Sequence, residues 1–202
     1  MRMTERAMAA LVVSAALLAG FGSLQAAANG PSPLLGQELP NLSGRGTSGR
    51  LINLKALQRD VIYLKDAEGK PIKEKGKLKS EVVDYVLVLN FFATYCVPCV
   101  KEIPTFNKIA KSYEGRPVRF IYVNVDTEKT PDEVQAFARQ KGIAVEMMFP
   151  SVSFALKAYQ IETLPRIVIA DRKGIVRQVI AGFQDDLTAQ IDGLVQPLLA
   201  AQ

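Results

Sequence analysis

The sequence predicts an α/β protein with a mixed central sheet flanked by helices. Three observations carry that expectation. Residues 82–92 and 118–125 are apolar runs rich in β-branched and aromatic side chains, as strands buried on both faces are. Helical segments with recognisable ends alternate with them. Later, Arg166–Ala170 and Val176–Ala181 flank Asp171-Arg172-Lys173-Gly174, a hairpin turn by composition.

In chain order, residues 29–50 are rich in Gly, Pro, Ser and Asn and read as mostly irregular. Residues 51–58 form a short apolar-containing segment, 61–64 a strand, and 66–71 a turn. Five lysines follow, at 70, 73, 75, 77 and 79, so 71–80 reads as a solvated hairpin arm or loop. After the strand at 82–92 comes a helix over 97–113, ended by Gly115 and Pro117. The strand at 118–125 precedes a helix over 130–140. Thr130 as N-cap, Pro131 at the first position and Glu133 at the third give that helix a capping box. A short strand at 145–149, a short helix at 151–159, the hairpin, and an amphipathic helix over 185–199 complete the chain, with no internal repeat.

Composition narrows the chemistry. The 202 residues suit one domain, and 49% hydrophobic content can supply its core. There is no His, so Ser-His-Asp triads, Cys-His dyads and imidazole metal or haem sites are excluded. Two cysteines cannot close a four-ligand zinc site, and neither a metal nor a cofactor is expected. A net charge of +5, with no basic helix or aromatic-basic interleaving, gives no case for nucleic acid.

The N-terminus reads as a secretory signal. Arg2 and Arg6 precede an uncharged stretch over 7–24, followed by the small-residue run Gln25-Ala26-Ala27-Ala28-Asn29. Cleavage is expected near Ala28, with a retained membrane anchor as the alternative, and no nearby Cys suggests a lipoprotein. Either way the remainder is periplasmic or otherwise exported, where disulfide chemistry is permitted. The expected division is a signal peptide at 1–28, an extension at 29–81 packed on the main domain, and a catalytic domain at 82–202.

Both cysteines lie in Cys96-Val97-Pro98-Cys99, where the apolar strand hands over to the helix. Helical positions three apart have β-carbons about 5–6 Å apart. Slight tightening brings two sulfurs there to bonding distance. The unpaired N–H groups and dipole of the helix start favour a thiolate, lowering a thiol pKa from ~8.5 into a range of roughly 3.5–7.5. Cys96 should be the more exposed and activated thiol, and Cys99 the more shielded. Pro98 suits a first helical turn. A ring of four residues constrains little chain entropy, so a purely structural bridge is a poor reading. Glu102 lies one turn beyond Cys99, where a carboxylate can exchange its proton; geometry alone leaves open a solvent-facing Glu. Pro104 should kink the helix. Before Arg166, Leu164-Pro165 is an ordinary trans turn on base rates, since only ~5–6% of X–Pro bonds are cis. A cis bond would free the Leu164 backbone to pair with an extended peptide.

The block from Asn90 to Pro104, N-F-F-A-T-Y-C-V-P-C-V-K-E-I-P, resembles the active-site segment of the TlpA/ResA/CcmG family of exported thioredoxin-like thiol-disulfide oxidoreductases. The likeness runs from about Val82 to the C-terminus. It takes in Val123-Asn124-Val125-Asp126, a helix-strand insertion at 130–149, and the segment from Tyr159 to Pro165. The resemblance implies a thioredoxin fold with an N-terminal β-hairpin-type extension and that central insertion. It implies Cys96 as nucleophile, Cys99 as resolving thiol, both as a redox-active disulfide, and Glu102 as a buried acid-base group. It implies a cis bond at Pro165, with Tyr95, Val97, Pro98, Leu164 and Pro165 contacting substrate. Client proteins with disulfides or thiols, for example in cytochrome c maturation, and a membrane-embedded thiol donor are the implied partners of a monomer.

Departures are visible. Tyr95 replaces the usual Trp, Arg166 stands where Thr is common, and the lead-in is long. Asn90 stands where thioredoxins proper carry a buried Asp, which leaves Glu102 as the expected proton acceptor. A disulfide-forming oxidant would share every motif, and a non-catalytic binding or chaperone module would keep the fold without the thiols. A peroxiredoxin would need a Pro before its Cys, and a copper-delivery protein a distal His; both are missing.

Overall fold

The computed structural model describes residues 32–201. The signal segment assigned to 1–28 lies outside them. No helix among the described residues is long and apolar enough to cross a membrane.

In chain order the elements are β1 (Ser43–Gly46), β2 (Leu51–Asn53), α1 (Leu54–Leu57), β3 (Arg59–Tyr63), β4 (Lys73–Glu74), β5 (Lys77–Leu78), β6 (Ser80–Asp84), β7 (Val86–Phe92), α2 (Val97–Ser112), β8 (Val118–Asn124), α3 (Pro131–Gln140), β9 (Met147–Pro150), α4 (Val152–Ala158), β10 (Arg166–Ala170), β11 (Val176–Ala181) and α5 (Leu187–Ala200). Seven strands form one sheet in the order β11-β10-β7-β8-β9-β1-β2. β7, β8 and β9 run parallel, and the strands at either side pair antiparallel.

β7 is the centre. All seven of its residues are buried, as a strand covered on both faces requires. Alternation sends Asn90 and Phe92 to the face that α2 covers, while Phe91 meets the Tyr159 ring at 4.6 Å on the other. On the α2 face, Tyr122 of β8 packs against Phe92 and Phe106 at 5.6 and 4.8 Å. α3 carries both bonds of its capping box: Glu133 N donates to Thr130 Oγ1, and Thr130 N donates to the Glu133 carboxylate.

Two expectations need correction. The apolar run at 82–92 is two strands. β6 turns away at Asp84, where Arg59 pairs with it, and β7 begins at Val86 after Tyr85 N bonds the carbonyl of Gln58. The run looks continuous because Val82 and Val83 are as apolar as the core, yet Val82 is 60% exposed. Among the described residues, 32–50 are irregular apart from β1, which pairs with β9 inside the main sheet. Its sequence, SGRG, lacks apolar alternation. Gly44 is needed there, since a Cβ would come within 2.4 Å of the Phe149 carbonyl oxygen. The strand expected at 145–149 lies at Met147–Pro150.

β3 and β6 form a separate ribbon, tipped by the β4–β5 hairpin. Lys75 and Gly76, both at positive φ, make its two-residue turn. The lysines at 70, 73, 75, 77 and 79 are all exposed, as a solvated arm requires. Arg119 fastens the base. It donates to the Leu57 carbonyl and to Asp60, and its guanidinium lies 3.9 Å from the centre of the Tyr85 ring.

Candidate functional site

The chain leaves β7 at Phe92 and enters α2 at Val97 through a pinned loop of four residues. Thr94 donates to Asp126 twice, from its backbone N at 2.9 Å and from Oγ1 at 2.6 Å. Asn124 Nδ2 donates to the same carboxylate at 2.5 Å, and Val125 N bonds the Phe92 carbonyl. Sequence reasoning gave Asp126 no role. Its signal is weak, a lone Asp two residues beyond a strand.

Cys96 is the N-cap of α2 and Cys99 lies in its first turn. The two are joined as a disulfide with Cα atoms 5.2 Å apart. Cys99 N donates to Cys96 Sγ at 3.2 Å, so the leading sulfur already occupies the acceptor position that a helix start provides. Cys96 is 8% exposed and Cys99 2%, the order expected of a leading and a shielded sulfur. Pro98 sits in the first turn, and the helix continues through Pro104 to Ser112. Tyr95, Val97 and Pro98 stand out around the disulfide, with Tyr95 and Val97 at 58% and 78% exposure.

Glu102 faces inward. It is 2% exposed, and Asn90 Nδ2 donates to its Oε1 at 2.7 Å. Burial pushes its carboxyl up to about 7, and the Asn90 hydrogen bond partly opposes that. The carboxyl therefore titrates where thiol chemistry runs. Tyr122, which sequence reasoning missed, packs in the same region; burial and the Glu102 charge both push its phenol up.

The Leu164–Pro165 bond is cis, against the base-rate expectation and in line with the resemblance. Pairing of Arg166 with Phe91 places this bond at the end of the sheet from which the Cys96 loop departs. Pro165 O accepts from Gly182 N at 2.8 Å, while no hydrogen bond among the described residues engages the Leu164 backbone. Arg166 is 8% exposed, and burial lowers its guanidinium pKa against the pull of Glu162. A cleft of about 490 Å³ opens beside Val97, lined also by Thr94, Val100, Lys101, Phe137 and Lys141. No three His, Cys, Asp or Glu side chains among the described residues gather where they could hold a metal.

Residues 61–179 match the AhpC/TSA family. A thiol-disulfide oxidoreductase ResA from Geobacillus kaustophilus is 33% identical over 108 residues, covering 52% of this chain and 61% of that protein. One from Bacillus cereus is 30% identical over 133 residues, covering 66% of this chain and 72% of that protein. The chain thus spans about three fifths of the first of these relatives. A crystal structure of a thiol:disulfide interchange protein of the thioredoxin family from Chlorobium tepidum superposes with a TM-score of 0.58 at 23% identity, over 80% of this chain and 95% of that one. That likeness shows a thioredoxin-like fold.

Proposed function

The chain belongs to the AhpC/TSA family and is ResA-like, and from that premise we propose that it is an exported protein thiol-disulfide oxidoreductase that reduces client disulfides. The observation that carries this reading is the Cys96–Cys99 disulfide at the start of α2 with a buried carboxyl one turn below. A structural bridge has no use for such a carboxyl.

The cycle starts from the dithiol. The Cys96 thiolate, stabilised by the helix start, attacks one sulfur of a client disulfide, and the other client sulfur leaves. The client lies as an extended segment across Tyr95, Val97 and Pro98, pairing with the open backbone of Leu164 beside Pro165. Cys99 then gives its proton to Glu102 and attacks Cys96 Sγ. The mixed disulfide breaks, the client leaves as a dithiol, and the Cys96–Cys99 bond closes. A membrane-embedded thiol donor restores the dithiol. Clients of the cytochrome c maturation kind fit the resemblance, and the protein acts as a monomer in the periplasm or an equivalent exported compartment.

The test is covalent trapping in that compartment. Cys99→Ser accumulates mixed disulfides that dissolve in reductant, and Cys96→Ser accumulates none. A Cys99→Ser protein that forms no adducts while activity persists overturns the proposal. A reduction potential near the ~−120 mV of strong oxidants reverses its direction.

A further inference from the structure

On the face of the sheet that α2 covers, three buried polar side chains lie in one region with their polar atoms only partly matched. Asn90 and Tyr122 are direct neighbours across the parallel pair of β7 and β8. Their side chains therefore leave the sheet on the same face, the one α2 covers. Asn90, Glu102 and Tyr122 are all 2% exposed or less. Beyond the bond from Asn90 Nδ2 to Glu102 Oε1, the Asn90 Oδ1, Glu102 Oε2 and Tyr122 hydroxyl oxygens have no hydrogen-bond partner among the described residues. Buried polar atoms are seldom left so. Three in one place point to a cluster whose members serve one another when the carboxyl changes state.

We propose that Asn90 and Tyr122 are positioning residues for Glu102, holding its carboxyl in both protonation states that disulfide exchange requires. This rests on the function proposed above and assigns the residues that tune its proton step. An amide and a phenol each both donate and accept. With Glu102 ionised, Asn90 Nδ2–H serves Oε1 and the Tyr122 O–H turns to serve Oε2. When Cys99 S–H yields its proton to Oε2, the new carboxylic O–H donates to the Tyr122 oxygen or to Asn90 Oδ1. The Cys99 sulfur, now anionic, bonds to Cys96 Sγ. The Cys96–client bond breaks, and its electron pair leaves on the client thiolate. The two cysteines are oxidised and the client is reduced, with the proton on Glu102 until it passes to solvent. An Asp at 90 would repel the ionised state, and a Phe at 122 would remove a donor from it.

Of the other charged groups near α2, Lys108 and Lys111 are exposed, and several more have partners elsewhere. On α5, Asp192 accepts from the Tyr113 hydroxyl at 2.7 Å. Lys101, on α2 itself, lies over the Phe183 ring, and Lys141, just beyond α3, over Phe137. Arg119 of β8 is paired with Asp60. The Tyr122 phenol on β8 feels the Glu102 charge, and Cys99, held in the disulfide, lies one turn before Glu102 on α2.

The experiment is a ¹³C-carboxyl NMR titration of Glu102 in the oxidised full-length protein, run beside Tyr122→Phe and Asn90→Leu. Tyr122→Phe keeps the ring that packs on Phe92 and Phe106. Both variants should raise the Glu102 midpoint by about one pH unit, since each removes a donor to the ionised form. Release of thiol from a preformed mixed disulfide should slow about fivefold at pH 7 and recover in alkali, because a midpoint moved from about 7 to about 8 lowers the ionised fraction at pH 7 about fivefold. An unmoved midpoint in Tyr122→Phe overturns the proposal, as does a loss of rate that is uniform with pH. Should Asn90→Leu not fold, Tyr122→Phe decides. The titration needs no turnover, so failed client trapping would sink the proposed function and leave this readout intact.

Discussion

The two ends of β7 are built from similar residues and behave as different media. Its C-terminal end leads into the disulfide, and the polar side chains there, Asn90, Glu102, Thr94 and Asp126, are all buried. Its N-terminal end, about 20 Å away along seven residues, joins the β3–β6 ribbon. There Val61, Tyr63 and Val82 are half exposed or more, and the Arg59–Asp84 pair lies in water despite a 2.6 Å contact. A short distance is therefore not a measure of consequence. The Asn90–Glu102 bond acts on a carboxyl whose ionisation is already shifted by burial, whereas the Arg59–Asp84 bond is screened.

The largest effect belongs to Cys96→Ser, which should abolish client-disulfide reduction in an insulin turbidity assay; measurable turnover would mean that the buried end is not where exchange occurs. Next, Glu102→Gln should slow the resolving step roughly 10²-fold at pH 7, the scale of lost acid-base help, read as delayed release of the mixed disulfide by mass spectrometry.

Stability should follow the same carboxyl. Its folded value of about 7 lies above its ordinary 4.5. Its favourable contribution is thus fully present below about pH 4.5 and is lost as pH rises through about 7. The loss amounts to roughly 3 kcal/mol between those limits. Urea unfolding at pH 5 and pH 8 should show that fall in the native protein and lose it in Glu102→Gln; parallel curves for the two proteins would contradict the burial argument. Thr94→Ala removes one bond to the Asp126 carboxylate and should cost about 2 kcal/mol, seen as a lower urea midpoint. The smallest effect is expected at the wet end. Arg59→Ala should leave both the exchange rate and the melting temperature unchanged, and a clear drop in either would give the ribbon a role that its exposure argues against.

Much of the sheet was legible, because β7, β8, β10 and β11 carry β-branched and aromatic runs and α3 carries its cap in plain sequence. The disulfide was legible through its spacing, whereas spacing left the direction of Glu102 open and only the family resemblance implied a buried carboxyl. What escaped depended on register or on tertiary contact. β1 is a strand because Gly44 lets two backbones approach, and no hydrophobic pattern records that. The break at Tyr85 is set by pairing with Gln58, far from any turn signal. Tyr122 joins the site only because β8 aligns it with Asn90, a registration that neither strand encodes by itself.

The outer boundary of the main sheet is β2, only three residues long. A foreign strand arriving there finds too few amide and carbonyl groups to offset the entropy lost on ordering. That side of the molecule is thereby a poor template for fibril growth.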